Sequence, residues 1–132
     1  MRNFLLATAS TALLLVTGSS VAADEIGQAE YMNACAVCHG SMGKGAGSLA
    51  PLLTVPVPDL TDLSAQNDGE FPMLKVIMIV DGRTGVRGHG GPMPVWGDRF
   101  GAQAGDIGTY ATELEVRGRV LSIAQYLESI QR

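Results

Sequence analysis

The stretch Tyr31-Met32-Asn33-Ala34-Cys35-Ala36-Val37-Cys38-His39-Gly40 decides how the rest of this chain is read. It holds both cysteines of the sequence, three positions apart, with a histidine directly after the second. Two cysteines fall at that separation by chance in roughly one pair in seventy, and a histidine follows in about one case in sixty-five. Three chemistries use such spacing. Thiols flanking a turn can each add to a vinyl group of a haem, and the adjacent imidazole then lies below the ring and binds the iron from one face. A thioredoxin-like redox pair belongs to a strand–helix unit, and no strand pattern precedes Cys35. Half of a zinc site needs two more Cys or His ligands, and only His89 remains. The spacing therefore predicts one covalent haem c, attached through Cys35 and Cys38, with His39 as an axial ligand.

Outward from the motif, Ile26 to Cys35 reads as an amphipathic helix, because Gly27, Tyr31 and Cys35 recur at four and share one face. Gly40 ends it, where a left-handed residue is easiest. Further upstream, residues 1–23 hold a single charge, Arg2, then an apolar run from Phe4 to Val16, then small residues ending Val21-Ala22-Ala23. That is the pattern of a secretory signal, and the run is shorter than the about 20 residues a bilayer span needs. The expectation is cleavage near Ala23, a mature domain over 24–132, export to the periplasm and no stable membrane insertion.

Downstream, prolines at 51, 56 and 58 forbid a regular helix or central strand over residues 40–60, which reads as an extended loop. Asp59 or Thr61 can cap a short helix running to about Asn67. Phe71 to Val80 reads as a helix closed by Gly82, with Pro72 in its first turn. Residues 82–97 form a second glycine-rich loop. From Tyr110 to Ile130, Val116, Val120, Ile123, Ala124, Leu127 and Ile130 recur at three and four, one apolar stripe of a long helix. Gly118 inside it costs about 1 kcal/mol relative to Ala, and a close helix crossing there would account for it. No strand alternation persists, so the chain reads as one small all-α domain of about four helices.

Composition bounds what such a domain can do. The 132 residues are 46% hydrophobic and 17% charged, and the net charge of −4 becomes −5 once a leader carrying Arg2 is removed. A sequence pI near 5.0 argues against nucleic-acid or anionic-membrane binding, since both reward clustered Lys and Arg. Beyond residue 23 there are six aromatics against sixteen glycines and six prolines. Small domains are marginal even with good cores, so something other than side chains must fill part of this one.

An iron held by His39 has a sixth position to fill. Met42 is too close in sequence to His39 to reach the opposite face easily, and Met32 shares a helix with the attachment site. Met73 and Met78 sit at helical positions among Leu74, Ile77 and Ile79, where methionine usually packs a core. Met93 stands between Pro92 and Pro94 in a loop with no helical stripe to explain it, and the flanking prolines stiffen the backbone behind its thioether. Met93 is therefore the predicted second ligand. His89, four residues away, is the rival through bis-His ligation; its alternative is an exposed loop histidine between glycines. Trp96 is either core or, through its indole N–H, a partner for a haem propionate.

Taken in order, Gly27-xxx-Tyr31-xxx-Cys35-xx-Cys38-His39-Gly40, Met93-Pro94-Val95-Trp96-Gly97 and Ile123-xx-Tyr126-Leu127 resemble segments of the class I monohaem c-type cytochromes of bacteria. The resemblance implies a fold in which the first and last helices cross near Gly27 and Tyr126 and cover one haem edge. It implies His39 and Met93 as axial ligands, and a loop proline, matched to Pro51, whose carbonyl receives the proximal imidazole. It also implies an electron-transfer protein rather than an enzyme. Its partners would be redox proteins, namely a periplasmic or membrane-bound dehydrogenase, reductase or oxidase. Two other roles compete: a dedicated haem subunit of a dehydrogenase or terminal oxidase, and an open-site gas-binding or peroxidase haem protein. Lys44 and Lys75 are the only lysines, so docking through a lysine ring is not expected. The apolar loop residues Leu52 and Val57 are the candidates for contact instead, while Arg83, Arg87 and Arg99 offer a competing account as steering charges or propionate partners.

Each thioether needs its own cysteine. Replacing both Cys35 and Cys38 by alanine should abolish haem that survives acid–acetone extraction, and the haem-free chain should melt without cooperativity. Stable haem in the double variant, or a sharp transition without haem, would contradict this reading.

Overall fold

The computed structural model describes residues 20–85 and 93–132. Residues 1–19 of the leader expected over 1–23, and the loop residues Arg87 and His89, lie outside the described residues. Among the described residues five α-helices follow one another: α1 (Ser20–Ala34), α2 (Ala36–His39), α3 (Met73–Asp81), α4 (Trp96–Gln103) and α5 (Thr109–Ser129). Single 3-10 turns at Ala50–Leu52, Leu60–Asp62 and Ala65–Asn67 punctuate the long connection from α2 to α3. Among the described residues there is no strand, and the all-α expectation holds.

The frame is α1 laid across α5. Val116, Val120, Ile123, Ala124 and Leu127 are all buried, so the apolar stripe of α5 is the centre of the core. α1 meets it with Gly27 and Tyr31, and Cys35 follows directly after the helix as the next buried residue of the spacing. A Cβ on Gly27 would overlap the Ser122 carbonyl oxygen and lie 2.9 Å from Tyr126 Cβ, so only glycine allows the two backbones this close. One turn on, the rings of Tyr31 and Tyr126 meet with centroids 5.2 Å apart at 46°. Arg119 then ties three helices together. Its Nη2 donates to Glu30 Oε2 of α1 at 2.9 Å, and its Nη1 donates to Gln103 Oε1 of α4 at 2.9 Å. The guanidinium carbon sits 3.9 Å from the centre of the Phe100 ring.

Three expectations need correction. The short helix expected from Asp59 to Asn67 is two separate 3-10 turns. Asp59 does cap the first, accepting from Thr61 N at 2.8 Å. The carbonyls that would continue the helix are taken by the C-terminus: Gln131 Nε2 donates to Leu60 O at 2.8 Å, and Arg132 N donates to Thr61 O at 3.1 Å. Next, α4 begins at Trp96, inside the stretch read as loop. Its pattern is short and interrupted by Gly97 and Gly101, but Phe100 is 1% exposed and drives the segment helical by tertiary burial. Finally, Gly118 is not at a crossing, because a Cβ there would meet nothing within 4 Å. The close approach belongs to Gly27 alone on this pair of helices.

These two glycines should respond to alanine with opposite signs. Gly27→Ala should lower stability by about 1–3 kcal/mol, because a backbone rather than a flexible side chain must move. Gly118→Ala should raise it by about 1 kcal/mol, as in any exposed helix interior. Thermal melting of the two variants checks both, and equal signs would refute the placement of the crossing.

Candidate functional site

Buried Cys35 joins α1 to α2, and α2 is one further turn that carries Cys38 and His39. His39 N donates to Cys35 O at 2.9 Å, and Gly45 N donates to His39 O at 2.8 Å, so the backbone of the turn is held from both sides. His39 is 6% exposed. Its Nδ1–H donates to Pro58 O at 3.4 Å, a long contact that nevertheless selects the tautomer, because a carbonyl can only accept. Nε2 is then the nitrogen that carries the lone pair, as an iron ligand requires. The proline facing His39 is thus Pro58, and the match to Pro51 is corrected: Pro51 lies in the turn Ala50–Leu52, is exposed, and does not line the cavity described next. Gly45 explains the difference. It takes φ 75°, and a Cβ there would come within 3.2 Å of Pro58 O, so glycine lets the 57–58 backbone close over the imidazole.

His39 opens onto a cavity of about 710 Å³, bounded by Cys35, Cys38, Met93, Trp96 and Pro58 among others. The volume lies within the roughly 300–1,000 Å³ typical of cofactor clefts. Its walls are aliphatic over most of their extent, with Val76 and Val80 of α3 facing Leu127 of α5. Of the described methionines only Met93 lines it. Met32 and Met42 are exposed, and Met73 packs against the core from outside the cavity. The structure therefore brings together Cys35, Cys38, His39, Met93 and Trp96, and leaves out Pro51. Lys75, which the sequence reading treated only as a scarce cation, is the one cationic residue among the described lining residues. Its place four positions before Ile79, so that the two share a helical face, was the available signal.

Electrostatics separates the chemistries open to the cysteines. Burial pushes the Cys35 thiol up to about 12, with the neighbouring Cys38 and Glu30 adding to the effect. Redox-active pairs work through a thiolate made accessible by a lowered pKa, and Cys35 is shifted the other way. Among the described residues no group of three His, Cys, Asp or Glu side chains is placed to hold a metal ion without a macrocycle. Two thiols beside one imidazole at the edge of a large apolar cleft do fit a covalently attached haem. The thiols would form the thioethers, and the imidazole, oriented by Pro58 O, would bind the iron.

A family model described as Cytochrome c matches residues 25–109, from α1 to the first residue of α5. No significant match was found among curated proteins or among solved structures.

Proposed function

Because this chain belongs to the cytochrome c family, we propose that it is a periplasmic one-electron carrier whose covalent haem c is ligated by His39 and Met93. The family is generally one of electron transfer and implies covalent haem c; the ligand pair, the compartment and the free-carrier role are the finer reading. The observation that carries it is the convergence of Cys35, Cys38, His39 and Met93 on one apolar cavity. When bound, the haem supplies a one-electron iron couple.

The residues of the chain define what can be done with that couple. His39 and Met93 would fill both axial positions, leaving no coordination site for a substrate. Thioether ligation raises the potential relative to bis-His. Aliphatic walls keep water from the ring, so little solvent must reorganise when charge changes. Trp96, partly buried at the cavity edge, offers its indole N–H to a propionate, and Lys75 offers a charge. The residues that match the family model do not include a leader, yet cytochrome c domains are typically extracytoplasmic. Among the described residues no helix is long and apolar enough to cross a membrane.

For the encounter with redox partners, Leu52 is 77% exposed, with exposed Leu49 nearby in the same loop, and neither lines the cavity. Val57 does line it, so it belongs to the pocket wall rather than to a docking surface. A small apolar contact with few cations near it suits brief association and fast release.

Two measurements test the proposal. Met93→Ala should open the ferric iron to cyanide and lower the potential with attachment intact, while His89→Ala should leave the spectrum nearly unchanged. The reverse pattern establishes bis-His ligation. With its physiological donor, the wild-type rate should change little between about 20 and 200 mM salt, and Leu52→Ser should slow it without shifting the potential. A rate falling about tenfold over that range would show charge steering instead. Gel filtration of native periplasm separates a free carrier from a tightly held haem subunit.

A further inference from the structure

The segment that carries Met93 leaves α3 and enters α4, and its two ends meet at one ionic cluster. α3 closes with Asp81; Gly82 turns the chain at φ 72°, and Arg83 folds back. Arg83 Nε donates to Asp81 Oδ1 at 2.7 Å and Nη2 donates to Asp81 Oδ2 at 2.8 Å, a two-point pairing. Its Nη1 donates to Glu113 Oε2 of α5 at 2.7 Å, and Arg117 Nε donates to Glu113 Oε1 at 2.6 Å. The far end of the segment rests directly on this cluster. A Cβ on Gly97, the second residue of α4, would lie 2.5 Å from Arg83 Nε and 2.6 Å from Asp81 Oδ1. Val95 crowds the other side of the neck, its Cα 3.3 Å from where a Gly82 Cβ would be. Hydrogen bonds from Arg83 hold the Asp81 and Glu113 carboxyls below the ordinary carboxylate range, so the cluster keeps its charges at neutral pH.

We propose that Arg83, paired with Asp81 and Glu113 and seated against Gly97, is a positioning residue that clasps both ends of the segment and so holds the Met93 thioether at the cavity. This rests on the reading of Met93 as the distal ligand. A thioether binds iron weakly, so its occupancy depends on how often the tethered sulfur returns after release. That frequency is an effective concentration set by the freedom of the tether. Pinning Gly97, four residues after Met93, restricts the stretch 93–97 that carries the sulfur without touching the sulfur itself. Gly97 is glycine because the clasp occupies the space where its side chain would be, an explanation the sequence pattern alone did not supply.

Imidazole titration of the ferric, haem-loaded protein tests the clasp, because imidazole competes with Met93 for the same coordination position. Arg83→Gln and Gly97→Ala should each raise imidazole affinity by about threefold or more. The double variant should exceed neither single variant appreciably, since both break one contact. In a Met93→Ala background, which should itself bind imidazole most tightly, Arg83→Gln should add nothing. Gly69→Ala serves as the destabilised control, because φ 86° strains any other residue while nothing lies within 4 Å of its Cβ, so neither the clasp nor the attachment turn is touched, and its affinity should stay at the wild-type value. If Met93→Ala leaves affinity unchanged, the ligand reading fails. If Met93→Ala raises it but Arg83→Gln does not, the ligand reading stands and the clasp is overturned. Equal increases in Arg83→Gln and Gly69→Ala, or an effect of Arg83→Gln that survives in the Met93→Ala background, overturn it as well.

Discussion

The Ser122 carbonyl lies where any side chain on Gly27 would have to go, and the relation of α1 to α5 follows from that close approach. With the two backbones in contact, Tyr31 is driven against Tyr126, and its hydroxyl donates to Gly40 O at 2.6 Å. Burial, reinforced by the neighbouring Cys35 and Tyr126, keeps that phenol neutral far above its ordinary range, so the bond to Gly40 persists at any physiological pH. The bond reaches over the attachment turn from α1 to the residue just after His39. Helix crossing and haem site are in this way one piece of structure: moving α1 on α5 would move Cys35, Cys38 and His39 together.

The same frame explains an economy in the composition. A chain with so few aromatics builds its side-chain core along α5 and leaves a cleft beside it, bounded by α3, the attachment turn and the 53–58 loop. In a small domain such a cleft exposes apolar surface at considerable cost unless a group fills it. A haem secured by two thioethers would complete the core and supply the redox chemistry at once. Stability and function would then draw on the same apolar contacts, with His39, Trp96 and Lys75 among the few polar side chains of the lining.

Charge in the described residues is concentrated at joints. Arg119 joins α1, α4 and α5; Arg132 bridges the C-terminus to Asp59 and Asp62 beside the Pro58 turn; Arg83 joins α3 to α5 beneath Gly97. Individual surface ion pairs contribute little to stability, with a typical range of about 0–1 kcal/mol. Their significance here is geometric, because each fixes a loop end or a helix crossing that borders the haem cleft. In a chain with many glycines and short helices, such joints substitute for the extended packing that larger side chains would provide.

The all-helical class, the grouping of Cys35, Cys38 and His39 at one site, and the frame of first and last helix were legible without coordinates. Cys35-xx-Cys38-His39 is a local chemical signal, and the spacings of Gly27, Tyr31 and Cys35 and of Val116 to Leu127 are periodic ones, so neither depends on knowing what lies across the fold. Met93 stood out because no periodic stripe explained it, and its presence at the cavity wall rests on the same local oddity. Other features were decided only by contacts between distant segments. Pro58 rather than Pro51 faces His39 because Gly45 admits its backbone, and three loop prolines look alike until that approach is seen. The turns after Asp59 stop short of a helix because the last two residues of the chain take their carbonyls. α4 forms because Phe100 finds burial, and Gly97 is glycine because Arg83 and Asp81 lie against it. A sequence records what each residue can do with its neighbours along the chain; which carbonyl is already taken, and which space is already filled, is set by residues far away in the sequence, and only the tertiary structure could decide it.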